Sequence, residues 1–228
     1  IVNLDADCTV EKNYFQAIEA HFQKYDETPG ASVYFEHPLE WNDDNVVQGI
    51  KNYELYLRYY INGLRHAKIP HAFQTVGSCF AVRSESYAVQ GGMNKRKAGE
   101  DFHFLHKIIS LGNYSEINTT TVFPSCRPSY RVPFGTGKAM TDWIAQSLNV
   151  QLSYNPQIFQ DLKIMTDLIP DFYECYENNA VIETLKKLPD TVKEYFDKND
   201  ILDVIQEVNE NVSSKEGFIK RFFFWFNL

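Results

Sequence analysis

The chain has 228 residues, 44% hydrophobic and 15% aromatic, which is enough apolar material for one sizeable core with or without an extension and excludes a disordered polypeptide. Thirty acidic residues against 22 basic ones leave a net charge of −8, which argues against broad nucleic-acid binding, since that needs a basic face. Four separated cysteines (Cys8, Cys79, Cys126, Cys175) form no CxxC pair, which argues against a zinc ribbon or thioredoxin site and reads as free cytosolic thiols.

The chain opens on an apolar run, Ile1 to Leu4, that reads as a strand and ends in Asp5-Ala6-Asp7-Cys8. Residues i and i+2 of a strand share a side. If the strand stops at Leu4, the two carboxylates still converge on one cation. Their hard oxygens suit Mg²⁺ or Mn²⁺, ions that also grip phosphate. Alone the pair says little, because Asp is common in turns, where it bonds local backbone. Val10 to Tyr25 then reads as a helix, Ala31 to Phe35 as a strand, and Asp43 to Ala67 as a long Tyr-rich helix. Thr75 to Arg83 is small and β-branched, a buried strand, and Ser84 to Gln90 is a short helix stopped by Gly91-Gly92.

After the basic stretch Lys95-Arg96-Lys97, Gly99-Glu100-Asp101 precedes Phe102, Leu105, Ile108 and Ile109 at helical spacing. This predicts a helix over Phe102 to Leu111, closed by Gly112, with Glu100 and Asp101 in its first turn. Carboxylates are stabilised there by unpaired N–H groups and the helix dipole. One acid suffices as a cap; the other is free to act as a general base. Thr119 to Phe123 reads as a last strand. The alternation of strands and helices is an α/β signature.

Ser125 to Lys138 is a Pro- and Gly-punctuated linker that carries Arg127, Arg131 and Lys138. Arginine forks bind phosphate well. The Gly135-Thr136-Gly137-Lys138 run lacks the spacing of a phosphate-binding P-loop. Beyond it the signals are helical: Ala139 to Gln151, Gln157 to Leu168, Asn179 to Leu188, Thr191 to Asp197 and Ile201 to Val208, punctuated by Pro156, Pro170 and Pro189. The domain reading is therefore an α/β region over 1–137 and a helical region over 138–228.

The first strand with Asp5-x-Asp7, the small-residue strand Val76 to Arg83, the Gly91-Gly92-Met93 turn and Gly99-Glu100-Asp101 together resemble the inverting glycosyltransferases of family 2, which have the GT-A fold. The resemblance implies a partial GT-A domain, Rossmann-like with a mixed sheet, followed by a helical C-terminal region. It implies that Asp5 and Asp7 hold Mg²⁺ or Mn²⁺ and the diphosphate of a nucleotide-sugar donor. By the same resemblance, Asp101 is the base that deprotonates a hydroxyl of a glycan or lipid-linked acceptor, and Glu100 supports it or contacts the acceptor. Arg127 and Arg131 fall in the basic segment that closes over the diphosphate. Where some family members carry a His as third metal ligand, this chain reads Ser125-Cys126. The setting implied is bacterial polysaccharide biosynthesis in the cytoplasm, with no nucleic-acid partner. In the family the nucleotide base is bound ahead of the Asp-x-Asp strand, so the expectation is that about a third of the catalytic domain precedes Ile1 and that this chain alone is inactive. Two other readings stay open: a nucleotidyltransferase using the acid pair and a metal, and a non-catalytic glycan-binding or scaffold module.

The remaining features are less specific. His103 and His106 share a helix face without a third ligand; His21 and His37 read as structural, and His66 and His71 bracket a turn. Trp41, Tyr53, Tyr56, Tyr59 and Tyr60 suit core packing, with Trp41 the exception that suits a sugar platform. Residues 217–226 hold five Phe, a Trp, Lys220 and Arg221. They are too few to span a bilayer and suit either a last helix docked on the core or peripheral contact at the inner face of a membrane.

Overall fold

The computed structural model describes residues 1–40, 43–94, 99–145, 152–175 and 178–226. Trp41 and the Lys95-Arg96-Lys97 stretch lie outside them. The chain divides into two compact units, Ile1–Tyr59 with Phe73–Ser153, and Tyr60–Ala72 with Tyr154–Leu228.

The first unit is an α/β arrangement around one mixed sheet. Strands β1 (Val2–Asn3), β2 (Thr9–Val10), β3 (Gly30–Phe35), β4 (Phe80–Val82) and β5 (Ser115–Phe123) lie in the order β1-β4-β3-β5-β2. β3 runs parallel to β5, and the other pairs are antiparallel. β3 is central and nearly continuous in burial, as a strand covered on both faces must be. Strand alternation sorts its neighbours into two layers. Ala31, Val33 and Phe35, with Cys79 and Ala81, pack on Tyr14 and Ile18 of α1 (Tyr14–Lys24). Phe80 and Val82 pack on the opposite side against Phe104, Leu105 and Ile108 of α4, which spans Glu100–Ile109. Gly30 permits that second layer to close in, since a Cβ there would stand 2.9 Å from both Ile108 Cγ2 and Val82 Cγ1. Helices α2 (Asp44–His66), whose residues from Tyr60 onward are assigned to the second unit, α3 (Ser84–Val89) and α5 (Thr136–Ala145) complete the list up to residue 145. Trp143 of α5 donates from Nε1 to Asn45 O at 3.0 Å. That helix belongs to the first unit, so the compact division falls at 153/154, beyond the 137/138 boundary read from the sequence.

The bounds of several elements differ from the sequence reading. The first helix begins at Tyr14, not Val10, because Thr9 and Val10 pair with Phe123 and Val122 and the Glu11 N–H continues the ladder to Thr121 O. The strand expected over Thr75 to Arg83 is regular only at Phe80–Val82. Ahead of it the Cys79 N–H bonds Val76 O in a turn, and Gly77 sits inside that turn. The last strand is longer than read, since Ser115 to Ile117 align with Ala31 to Val33.

The second unit contains α6 (Pro156–Leu168), a 3₁₀ turn (Ile169–Phe172), α7 (Asn178–Leu185), α8 (Asp190–Lys198), α9 (Ile201–Glu210) and α10 (Lys215–Phe226). Asn155 caps α6 by accepting from the Gln157 N–H at 2.9 Å, with Pro156 at the first helical position. Met165, Ile169, Phe172, Phe196, Phe218 and Phe222 form its core, each at 0% exposure. The polar side chain of Asn209 is buried in the same unit. It accepts from the Glu174 N–H at 2.8 Å and donates to Phe172 O at 2.9 Å and Ile205 O at 3.0 Å, so its burial leaves no bond unmade. The aromatic C-terminal segment is docked: Phe218, Phe222 and Phe223 of α10 are buried, while Lys220, Arg221 and Phe224 stay exposed. Among the described residues no helix is long and apolar enough to cross a membrane.

Candidate functional site

The site begins where β1 leaves the sheet. β1 and β2 occupy opposite edges, yet only Leu4 to Cys8 connect them. Four strand spacings of about 4.8 Å would separate the edges of a flat sheet by roughly 19 Å. The connection is not extended, because the Cys8 N–H turns back to Asp5 O at 3.1 Å. The sheet is correspondingly curled, and the Asp5–Cys8 turn bridges its two edges.

That turn, and not strand alternation, gathers the acids. Ligating atoms of Asp5, Asp7 and Cys8 all lie within 4.8 Å of one another, with both aspartates exposed and Cys8 half-buried. Two carboxylates at this separation fit a hard divalent cation with open positions for water or phosphate oxygens. Cys8 is a poor third ligand for such an ion. Burial, aided by the charges of Asp5 and Asp7, pushes its thiol above the ordinary range, and only the thiolate binds metal well.

Asp101 comes to the same place through Gly77. Asn3, two residues before Asp5, donates from Nδ2 to Gly77 O at 2.6 Å. On Gly77, a Cβ would overlap the Asp101 carboxylate at Oδ2, so this carboxylate rests directly on the glycine. Its other oxygen, Oδ1, accepts from the Phe102 N–H at 2.8 Å. Asp101 therefore sits in the first turn of α4 as read from the sequence. Burial raises its carboxyl above the ordinary aspartate range, and Glu100 and Asp5 add to the rise as negative neighbours. The contribution of Asp5 places the two acidic motifs within electrostatic reach although 96 positions separate them (101 − 5). Glu100 is half-buried beside Asp101 at the helix start.

The basic linker reaches the cluster through one residue. Arg127 Nη2 donates to Asp7 Oδ2 at 3.1 Å, with both side chains about half exposed or more. An ion pair so solvated contributes about 0–1 kcal/mol to stability, which leaves Arg127 free to exchange partners. Arg131 is exposed and forms no ion pair among the described residues. The linker also approaches the other acid pair, since Phe134 Cζ lies 3.3 Å from a Cβ built on Gly99. Ser129 N–H bonds Gly137 O, and Thr141 Oγ1 donates to Gly137 O at 2.9 Å, which fastens the far end of the loop to α5.

A partly buried polar network joins α2 to the start of α5. His37 is 5% exposed and bonds Glu54 Oε2 from its ring Nδ1 at 2.9 Å and from its backbone N–H at 2.8 Å. Its Nε2 meets Thr136 Oγ1, the first residue of α5, at 3.2 Å. Arg58 grips the other Glu54 oxygen. Burial opposes the Glu54 charge, but the bonds from His37 and Arg58 outweigh it and hold the carboxyl down at about 2. His37 is structural here, as its sequence context suggested.

Sequence reasoning missed three contributors: Asn3, Gly77 and Cys8. A glycine inside an apparently continuous strand was the available signal for a close approach. Tyr14 of α1 lies near Cys8. Its hydroxyl is buried without a partner among the described residues, and burial, with the two thiols Cys79 and Cys8 beside it, pushes its pKa up to about 12. His103 and His106 lie on α4, past the acids, and form no metal cluster among the described residues. No protein-family model, curated protein or solved structure matches this chain.

Proposed function

We propose that the protein is an inverting, metal-dependent glycosyltransferase with a partial GT-A domain, moving a sugar from a nucleotide-diphosphate donor to a hydroxyl of a glycan or lipid-linked acceptor in the cytoplasm. The observation that carries the reading is that Gly77 accepts from Asn3, two residues before Asp5, and carries the Asp101 carboxylate against it, with Asp5 within electrostatic reach of Asp101. Asp5 and Asp7 would hold Mg²⁺ or Mn²⁺, which when bound neutralises the leaving diphosphate. Arg127 is placed to release Asp7 and take a phosphate oxygen, as an arginine fork does well. Asp101 is the acid set apart by burial. A carboxylate with a raised pKa is a stronger base, and general-base efficiency rises as that value nears working pH. Glu100 keeps it there by like-charge repulsion. Direct displacement needs the base opposite the departing diphosphate, and acidic groups carried by two separate elements, the Asp5–Asp7 turn and the start of α4, support that division of roles.

Incubation of the protein with nucleotide sugars and hydroxyl acceptors tests the reading. Metal-dependent release of nucleoside diphosphate with inversion at the anomeric carbon, read by proton NMR, is expected; retention of configuration, or turnover indifferent to chelator, contradicts it. On the chain itself, Asp7→Asn should weaken Mn²⁺ binding by about tenfold or more, the worth of one charged ligand contact. Electron paramagnetic resonance of the titrated ion gives the affinity, and an unchanged value refutes the clamp.

A further inference from the structure

We propose that the hollow between the exit of β3 and the middle of α2 is a binding site for a neutral, hydroxyl-rich ligand of one or two sugar rings, the acceptor end of the reaction. This inference rests on the transferase reading for the word acceptor, and on the cavity alone for the word sugar.

The cavity measures about 620 Å³, large enough for a disaccharide and within the range of small-molecule sites. One wall is the segment that follows β3, with Glu36, Leu39 and Glu40; the other is one face of α2, with Lys51, Leu55 and Arg58 at helical spacing. The floor is the His37–Glu54 pair. All of its strong bonds are made internally: Glu54 receives His37 on one oxygen and Arg58 on the other, and His37 spends its second ring nitrogen on Thr136. That floor fixes the shape and offers a ligand little. The groups that face the opening are different. The Glu36 side chain has a long contact with Tyr34 Oη at 3.4 Å and lies within electrostatic reach of Arg58, and no ion pair involves Glu36, Glu40 or Lys51 among the described residues.

This set selects its ligand by chemistry. Two carboxylates at the opening repel phosphate and carboxylate ligands. Carboxylates accept from hydroxyls, and lysine and arginine donate to them, so the mixed set satisfies vicinal diols. Leu39 and Leu55, at 51% and 66% exposure, supply apolar surface for the C–H face of a ring. The hollow also adjoins the transfer site along the chain. Phe123, one of its lining residues, pairs with Thr9 just after the acidic turn. Cys126 Sγ donates to Pro38 O at 3.9 Å, and its neighbour Arg127 holds Asp7.

Titration of the chain with free mono- and disaccharides (glucose, N-acetylglucosamine, lactose, cellobiose) and with inorganic phosphate, followed by amide chemical shifts, tests this. The expected result is saturable shifts confined to 36–40, 50–58 and 123 with at least one saccharide and none there with phosphate. Glu36→Gln and Lys51→Met should each weaken that saccharide about tenfold, while Mn²⁺ affinity at Asp5 and Asp7 stays as in the parent, which shows the variants folded. No saccharide response, shifts located elsewhere, or phosphate bound in the hollow overturns the proposal. Saccharide bound in the hollow without transfer from any nucleotide sugar leaves the site standing and removes the transferase reading. Transfer with acceptor KM unmoved by both variants does the reverse.

Discussion

Asp101→Asn is expected to lower kcat by about 10²–10⁴-fold, the worth of a positioned general base, while donor binding persists. The amide keeps the shape and the bond that Oδ1 accepts from the Phe102 N–H, but it cannot take a proton. Stability should not fall with it. A carboxyl whose folded pKa is raised by burial carries a cost when ionised, so its protonated or neutral form is the one the fold favours. The linkage sign follows: the charge of Asp101 disfavours folding above its ordinary range, and Asp101→Asn should leave Tm at neutral pH unchanged or slightly raised. The pH profile has a matching sign. Base catalysis needs the carboxylate, so activity falls on the acid side, with a midpoint above that of an ordinary aspartate. Gly77→Ala reaches the same group by another route. The added methyl would occupy the place of Asp101 Oδ2, and the flexible side chain must swing away, so kcat should drop with little change in thermal stability. Normal turnover in Asp101→Asn would remove Asp101 from the base role; normal turnover in Gly77→Ala would show that its resting position is immaterial.

The second large effect concerns the helical unit. Phe222 is 0% exposed and packs its ring against Phe196 and Trp225 at centroid distances of 6.1 and 5.4 Å. Phe222→Ala should cost about 3–5 kcal/mol, the usual range for removing a buried aromatic. Urea denaturation followed by tryptophan fluorescence reads the loss. Phe224, two positions on and 56% exposed, is the internal comparison: Phe224→Ala should stay within about 0.5 kcal/mol. The contrast distinguishes a docked C-terminal helix from an aromatic segment whose Phe side chains all serve a surface. Equal, small effects at both positions would contradict docking.

Much of this was legible in the residues. Strand β3, α4 and the five later helices announce themselves by periodicity and by proline or glycine punctuation, because each is decided by contacts local in the chain or by one continuous buried face. The acids were legible as types at a spacing. What was not legible depends on partners far along the chain. Thr9 and Val10 look like a helix start and become a strand only because β5, more than a hundred residues later, offers them an edge. The 75–79 segment looks like a strand by composition, yet it bends so that Gly77 can meet Asn3 on one side and Asp101 on the other. Arg127 and Arg131 look alike in the linker, and only the fold of the loop turns one of them to Asp7.

The account depends on one spatial claim, that the Asp5–Asp7 turn and Asp101 border one small volume. Paramagnetic broadening of amide resonances by substoichiometric Mn²⁺ measures this directly. The account predicts that amides of Asp5 to Cys8, Gly77, Ser78, Asp101 and Phe102 broaden together at a single bound ion, and that Asp7→Asn weakens the broadening of all of them in step. Broadening confined to Asp5 to Cys8, with Gly77 and Asp101 untouched, would contradict it.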